Sequence, residues 1–255
     1  MSNFEGLISV AFDSHVALVE LQHPPHNFVN ATVLGHLADC FEELDSNPEV
    51  RCLVLAAQGK VFCAGADFSN DEGSGNTARR FYASAARIFA TRKPIVAAVQ
   101  GAAIGAGLGL ALVADFRIAA PEARFAANFV KLGIHPGFGL THTLPRLIGQ
   151  QCASLLLYTG RRIGGAEAVR IGLADSLAEG GQLRQTAIAL AHEIAENAPL
   201  AVMATRSTIR KGLVEAVIAQ TAHEASEQER LFLTDDYAEG LRAVSERRPG
   251  NFNGR

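Results

Sequence analysis

The chain has 255 residues, 48% of them hydrophobic and 19% charged, enough to bury one large core or a core with a small appendage. A formal net charge of −3, with no basic run beyond the pairs Arg161-Arg162 and Arg247-Arg248, offers nucleic acid no basic face. Cys40, Cys52, Cys63 and Cys152 show no CxxC spacing, and the acids Glu5 and Asp13 interrupt any signal-peptide order, so the expectation is a cytoplasmic protein with reduced thiols.

In chain order, GLISVAF and HVALVELQ are apolar runs split by Asp13-Ser14 and read as a β-hairpin. His23-Pro24-Pro25-His26 ends the second strand, because proline cannot donate to a ladder. Asn30 to Ser46 carries Val33, Leu34, Leu37, Phe41 and Leu44 at helical spacing. RCLVLAAQGKVF is a buried strand running into a glycine turn. Residues 69 to 77 are polar and Gly-rich, the expected loop, and Asp71 and Glu72 within it are read as solvated. A helix over Ala78 to Thr91 follows, broken by Lys93-Pro94, then the strand PIVAAVQG, and later DFRIAA. Alternation of this kind argues for parallel βαβ units. Past about residue 140 strand signals vanish, and helical stretches are expected at 150–158, 166–171, 183–197, 200–211, 214–230 and 235–247. The organisation is an α/β core over residues 1–195 and a helical C-terminal region over 196–255.

The uncharged run from Ile95 to Ala114 is long enough to cross a bilayer, and Gly101, Gly105 and Gly109 give GxxxG spacings. It is rich in Ala and Gly, contains Gln100 and lacks an aromatic belt, which argues against a span. Gly105, Gly107 and Gly109 also imitate a dinucleotide loop, but Leu110 stands where that fingerprint needs Gly or Ala. Two readings remain: a closely packed buried helix that needs small residues, or a turn whose unpaired N–H groups meet an oxyanion. A second small-residue turn at Ala64-Gly65-Ala66, in GKVFCAGADFSN, favours the latter, since two such turns can aim two N–H groups at one oxygen. The histidines are scattered, and no metal-binding cluster or Walker loop occurs.

With these blocks in order, the chain resembles the enoyl-CoA hydratase/isomerase (crotonase) superfamily. The matching segments are HPPHNFVN, VRCLVLAAQGKVFCAGADFS, KPIVAAVQGAAIGAGLGLALVADFRIAA, ARFAANFVKLGIHPGFGLTHTLPRLIG, LYTGRRIGGAEAVRIGLAD and RRPGNFNGR. The resemblance implies a crotonase-like α/β fold, a spiral of ββα units with a helical C-terminal trimerisation region. It implies an acyl-CoA substrate, no permanent cofactor, no membrane or nucleic-acid partner, and a homotrimer or dimer of trimers. It gives the oxyanion donors as the N–H groups of Ala66 and Ala106. Coenzyme A is expected along Ala64, Ala66, Asp67, Phe68 and Ser69, with Arg247 and Arg248 near its phosphates. Asp67 also reads as a cap of the following turn, and the two arginines also read as a solvated face.

The chain departs from the family where hydratases carry two glutamates: the matching residues are Gly109 and Phe129. A third carboxylate position used by some isomerases and a dehalogenase is Gly137. None of these can move a proton, which hydration requires. His142, with His135 behind it, is the candidate acid–base group, against the plainer reading of histidines that pack or cap the HPGFGLTH turn. Tyr82 is a further donor. The expected function is enolate chemistry on an acyl-CoA. The rivals are a catalytically altered or inactive CoA-ester binding paralogue and a hydrolase of a non-CoA diketone.

Overall fold

The structure is a computed structural model that describes Phe4 and residues 6–67, 75–179 and 181–255. The expected hairpin forms from β1 (Ile8–Asp13) and β2 (Val16–Leu21), paired antiparallel through a two-residue turn in which Ser14 is left-handed. Asn30 caps α1 (Ala31–Ser46), its Oδ1 accepting the Val33 N–H at 3.0 Å, and the helix buries the stripe the spacing marks. Strands β3 (Cys52–Ala57), β4 (Ile95–Val99), β6 (Phe116–Ala119) and β9 (Ser176–Leu177) continue the sheet in parallel, in the order β1-β2-β3-β4-β6-β9.

Every residue of β3 and β4 is buried, as a parallel strand covered on both faces requires. Alternation then sorts them. Leu53, Leu55 and Ala57 join the main core with α1 and α2 (Gly75–Phe89). Cys52, Val54 and Ala56 face Ala187, Ala191 and Ala195 of α7 (Leu183–Ala195), a small-residue stripe that seats the helix close to the sheet.

A second sheet, β5 (Ala102–Ile104), β7 (Arg124–Ala126) and β8 (Ile163–Gly164), lies beside the first. The chain alternates between the two. β3 leads to a bridge at Cys63 on Ala103, and then α2. β4 leads to β5, then α3 (Ala106–Ala111). β6 leads to β7, then a 3₁₀ turn (Asn128–Leu132) and α4 (Leu140–Ile148). This is the spiral of ββα units. Strands do not end at residue 140 as the sequence suggests: β8 and β9 close the edges of both sheets, and at two residues each they are too short to carry a period. The five-residue strand before Gly101 is also not continuous with the helix; β5 intervenes, too short to be legible among alanines.

The helical part matches expectation closely. After α5 (Gln150–Thr159), α6 (Gly165–Arg170) and α7 come α8 (Pro199–Ile209), α9 (Leu213–Leu231) and α10 (Asp235–Ser245). Arg206 of α8 is held to the core by Asp115, Nε to Oδ2 at 2.8 Å. The long α9 lies across α2 and α4, bringing C-terminal side chains under the turn that precedes α4.

Candidate active site

The two small-residue turns meet edge to edge. Cys63 N–H donates to the Ala102 carbonyl at 2.9 Å and Ile104 N–H donates to the Cys63 carbonyl at 3.0 Å. On its other side the segment is held by residues 26–29: Ala64 N–H donates to His26, Val29 N–H to Gly65, and Asp67 N–H to Val29, at 2.9, 3.0 and 3.0 Å. The fit leaves no room for side chains. A Cβ at Gly101 would stand 1.9 Å from the Lys60 carbonyl oxygen, and one at Gly107 would stand 2.1 Å from that of Cys63. These positions are glycine because two backbones touch there, and Gly101 also has a left-handed φ of 53°.

Within this ladder the N–H groups of Ala66 and Ala106 are passed over. Ala106 opens α3 behind Gly105 (φ 56°), where a helical N–H has no acceptor within the helix. Among the described residues no carbonyl takes either N–H. Ala106 is 5% exposed, and Ala66 is half-buried. Ala64 spends its N–H on His26, so its carbonyl is the group it has to offer. Cys63 is wholly buried; its thiol donates to the Gly65 carbonyl at 3.5 Å, and burial pushes it up to about 12. Phe68 and Ser69, together with Asp71 and Glu72, lie outside the described residues.

On the other side of Gly105 and α3 the neighbours are side chains. The Phe129 ring lies against Gly105, whose Cβ would meet its Cζ at 3.6 Å. At Gly109 a Cβ would stand 2.5 Å from Cδ1 of Phe138. Phe138 is 1% exposed and sits edge-on to Phe81 at 5.8 Å, with Phe89 at 6.3 Å. At Gly137 a Cβ would stand 2.3 Å from the Tyr82 hydroxyl. That hydroxyl donates to Gln228 Oε1 at 2.7 Å, while Gln228 Nε2 donates to the His135 carbonyl at 2.8 Å. Burial raises the Tyr82 hydroxyl well above its ordinary range, so it is a donor and not a base.

Glu224 is the residue the sequence hides. It is fully buried on α9 and accepts Gly139 N–H at 2.7 Å, Thr141 N–H at 3.1 Å and the Thr141 hydroxyl at 2.5 Å. It therefore caps α4, whose own N-cap, Gly139, has no side chain to do so. Burial raises its carboxyl, and those three hydrogen bonds pull the other way. The signal was present as Val217, Thr221, Glu224 and Gln228, spaced four, three and four along TAHEASEQER and the residues before it, a mixed stripe on the inward face.

The two candidate histidines are placed differently. His142 is the third residue of α4, and its Nε2 is buried with no hydrogen-bond partner among the described residues. Burial, then the nearby Arg146 charge, lowers its pKa, so the ring is neutral at pH 7. His135 turns to α9, its ring 6.0 Å from that of His223 and its Nδ1 2.7 Å from the Pro136 carbonyl oxygen. Arg248 is engaged within the chain by Glu239, at 3.1 Å for one contact, and by Glu246 at 2.6 Å; the exposed Arg247 beside it has a left-handed φ of 55°. No group of three or more His, Cys, Asp or Glu suited to a metal occurs among the described residues. No described helix is long and apolar enough to cross a membrane.

A sequence model of the enoyl-CoA hydratase/isomerase family matches residues 11–255. The short-chain-enoyl-CoA hydratase of Clostridium acetobutylicum is 35% identical over 243 residues, covering 92% of this chain and 93% of that protein. The crotonyl-CoA hydratase of Syntrophomonas wolfei is 37% identical over 232 residues, 89% of each. A solved enoyl-CoA hydratase/isomerase from Pseudoalteromonas atlantica superposes with a TM-score of 0.86 at 30% identity, over 97% of this chain and 100% of its own.

Proposed function

The chain belongs to the enoyl-CoA hydratase/isomerase family, and from that premise we propose that it is an acyl-CoA enzyme whose thioester oxygen is held by the N–H groups of Ala66 and Ala106. The observation that carries this reading is the zipped pair of turns, which leaves those two donors without a carbonyl acceptor among the described residues. Donors fixed by a β-ladder need no reorganisation as the thioester becomes an enolate, and each is worth roughly 3 to 4 kcal/mol of barrier by comparison with other oxyanion holes. No resident cofactor is required, since coenzyme A comes with the substrate. It lies along Ala64, Ala66, Asp67, Phe68 and Ser69, with Arg247 toward its phosphates; Arg248 joins only by leaving Glu239.

His142 is the proton-transfer group, and His135 the alternative. The neutral Nε2 of His142, without a hydrogen-bond partner among the described residues, supports the choice, with Gly109, Phe129 and Gly137 empty of carboxylates. A base with a lowered pKa keeps kcat/KM flat on the acid side until below the ordinary imidazole value of about 6.5. The same empty positions favour a second reading, a binding paralogue without turnover.

The protein assembles as a homotrimer or dimer of trimers through residues 196–255, supported by exposed Leu200, Ile209, Leu233 and Val244 on and between its helices. It works in the cytoplasm, in keeping with four free cysteines.

The test is a panel of CoA esters, read by mass spectrometry and by melting temperature. Acetyl-CoA raises the melting temperature by mass action, and at least one enoyl ester is converted. No shift at millimolar ester overturns both readings. A shift without turnover of any ester selects the binding paralogue. Turnover unaffected by His142→Ala removes the histidine from the chemistry.

A further inference from the structure

We infer that the groove between α4, β6 and α8 is a binding site for an apolar carboxylate of the fatty-acid class, its head group on Arg206 and Arg210 and its chain along the walls. The groove shares no residue with the turns at Ala66 and Ala106, and the inference does not rest on the acyl-CoA reading.

The groove holds about 790 Å³, within the range of small-molecule sites, and its walls are apolar, with Leu112, Phe116, Leu147, Val202 and Leu213 among them. Its charged residues are four arginines, Arg117, Arg146, Arg206 and Arg210, and one acid, Asp115. Depth sorts the two kinds. Phe116 and Leu147 are 36% exposed, whereas Arg206 is 9% exposed, so guanidinium lies beneath an apolar rim.

That floor carries more positive charge than its carboxylates neutralise. Arg117 pairs with Asp175 at 3.2 Å. Arg206 and Arg210 are left to share Asp115. Nε of Arg206 donates to both carboxylate oxygens, at 3.0 and 2.8 Å, and Nη1 of Arg210 donates to one of them at 3.1 Å. Asp115 cannot turn wholly to either, because it also accepts the Ile95 N–H at 2.9 Å. Burial, then the neighbouring Arg206 charge, lowers the pKa of Arg210. Arg206 gives Nη1 to the Thr91 carbonyl, and its Nη2 is buried with no hydrogen-bond partner among the described residues. A buried donor left unpaired is costly, and a buried cation short of negative charge is costlier. A carboxylate supplies both missing parts, a second anion and oxygens that match the guanidinium fork. A hydrophilic anion would leave the walls bare, so the ligand carries an apolar chain.

The probe is decanoate, titrated into the full chain by calorimetry. One molecule binds per chain, and octanoate binds roughly tenfold more weakly because two fewer methylenes are buried. Decanol, with the same chain and no charge, is weaker than decanoate by about tenfold or more. Arg206→Lys keeps a cation for Asp115 but removes Nη2, and weakens decanoate about tenfold. Leu147→Glu sets a negative charge on the rim and abolishes binding; should it not fold, Arg146→Glu reverses the rim charge at an exposed residue. Saturating acetyl-CoA leaves decanoate binding unchanged. No binding at millimolar decanoate overturns the site. So do equal affinity for decanol, binding that the variants leave intact, and displacement by acetyl-CoA. If decanoate does not bind and Leu147→Glu dissociates an oligomer seen by light scattering, the groove belongs to a second copy of the chain and the inference falls.

Discussion

The two walls that enclose the start of α3 are made of different material. One is backbone: residues 63–67 and 102–106, zipped by hydrogen bonds near 3 Å and pressed so closely that Gly101 and Gly107 admit no Cβ. The other is side chain: Phe129 and Phe138, the latter's neighbours in sequence held by helix residues 55 to 93 positions away. A backbone wall is indifferent to most substitutions, because every residue but proline brings the same N–H. A side-chain wall changes with each replacement. The two donors proposed for the thioester oxygen lie in the first wall, while Gly109, Phe129 and Gly137 put no carboxylate in the second.

The contrast can be broken from either side. The largest expected effect is on stability at the side-chain wall: Phe138→Ala removes a fully buried ring and costs about 3–5 kcal/mol by urea denaturation. A loss below about 1 kcal/mol would mean that the ring is loosely held. Next is Ala106→Pro, which deletes one N–H of the backbone wall. Proline is tolerated at the first residue of a helix, so the fold survives while turnover falls by roughly 10²–10³. Unchanged turnover would remove Ala106 from the oxyanion site.

Smaller is Glu224→Gln, which replaces a carboxylate accepting three donors with an amide that accepts at one end only; about 1–3 kcal/mol is expected. The sign of its pH dependence is fixed by burial. The folded carboxyl binds its proton more tightly than the unfolded one, so this group's contribution to stability declines as pH rises above the ordinary glutamate value, and the variant loses that decline. The smallest effect is the converse one at His142. Its folded pKa is lowered, so the unfolded chain takes up the proton first, and stability falls as pH drops through the ordinary imidazole range. His142→Gln flattens that acid limb in thermal melts and leaves neutral pH nearly unchanged.

Legibility followed the same division. The backbone wall could be read in sequence because glycine and alanine in a turn report a steric demand directly: CAGAD and GAAIGAG name the positions where chains touch. The helices expected over 183–197, 200–211 and 214–230 were equally plain from their Ala-, Leu- and Glu-rich composition, and they form within two residues of those bounds. The strands β5, β7, β8 and β9 were not, since two or three residues carry no alternation and their pairing is set by the sheets around them. Position 109 could be seen to lack a carboxylate, but what fills the space could not. Phe138 reaches it from 29 residues away through a left-handed turn, fixed by Glu224 and Gln228 beyond it. Such a contact belongs to no local pattern. Only the stripe Val217, Thr221, Glu224, Gln228 hinted that α9 carries polar groups inward.

Cys63 gives the arrangement one more consequence. Its sulfur belongs to the turn that carries Ala66, three residues from the N–H proposed to hold the thioester oxygen. An ionised thiol there would take the acyl group onto the protein, or form a mixed disulfide with oxidised coenzyme A. Instead the thiol is sealed in the core and tied to the Gly65 carbonyl, and burial pushes its pKa up to about 12, so it stays protonated near neutral pH. In the proposed site the buried thiol is thus kept from taking up the acyl group.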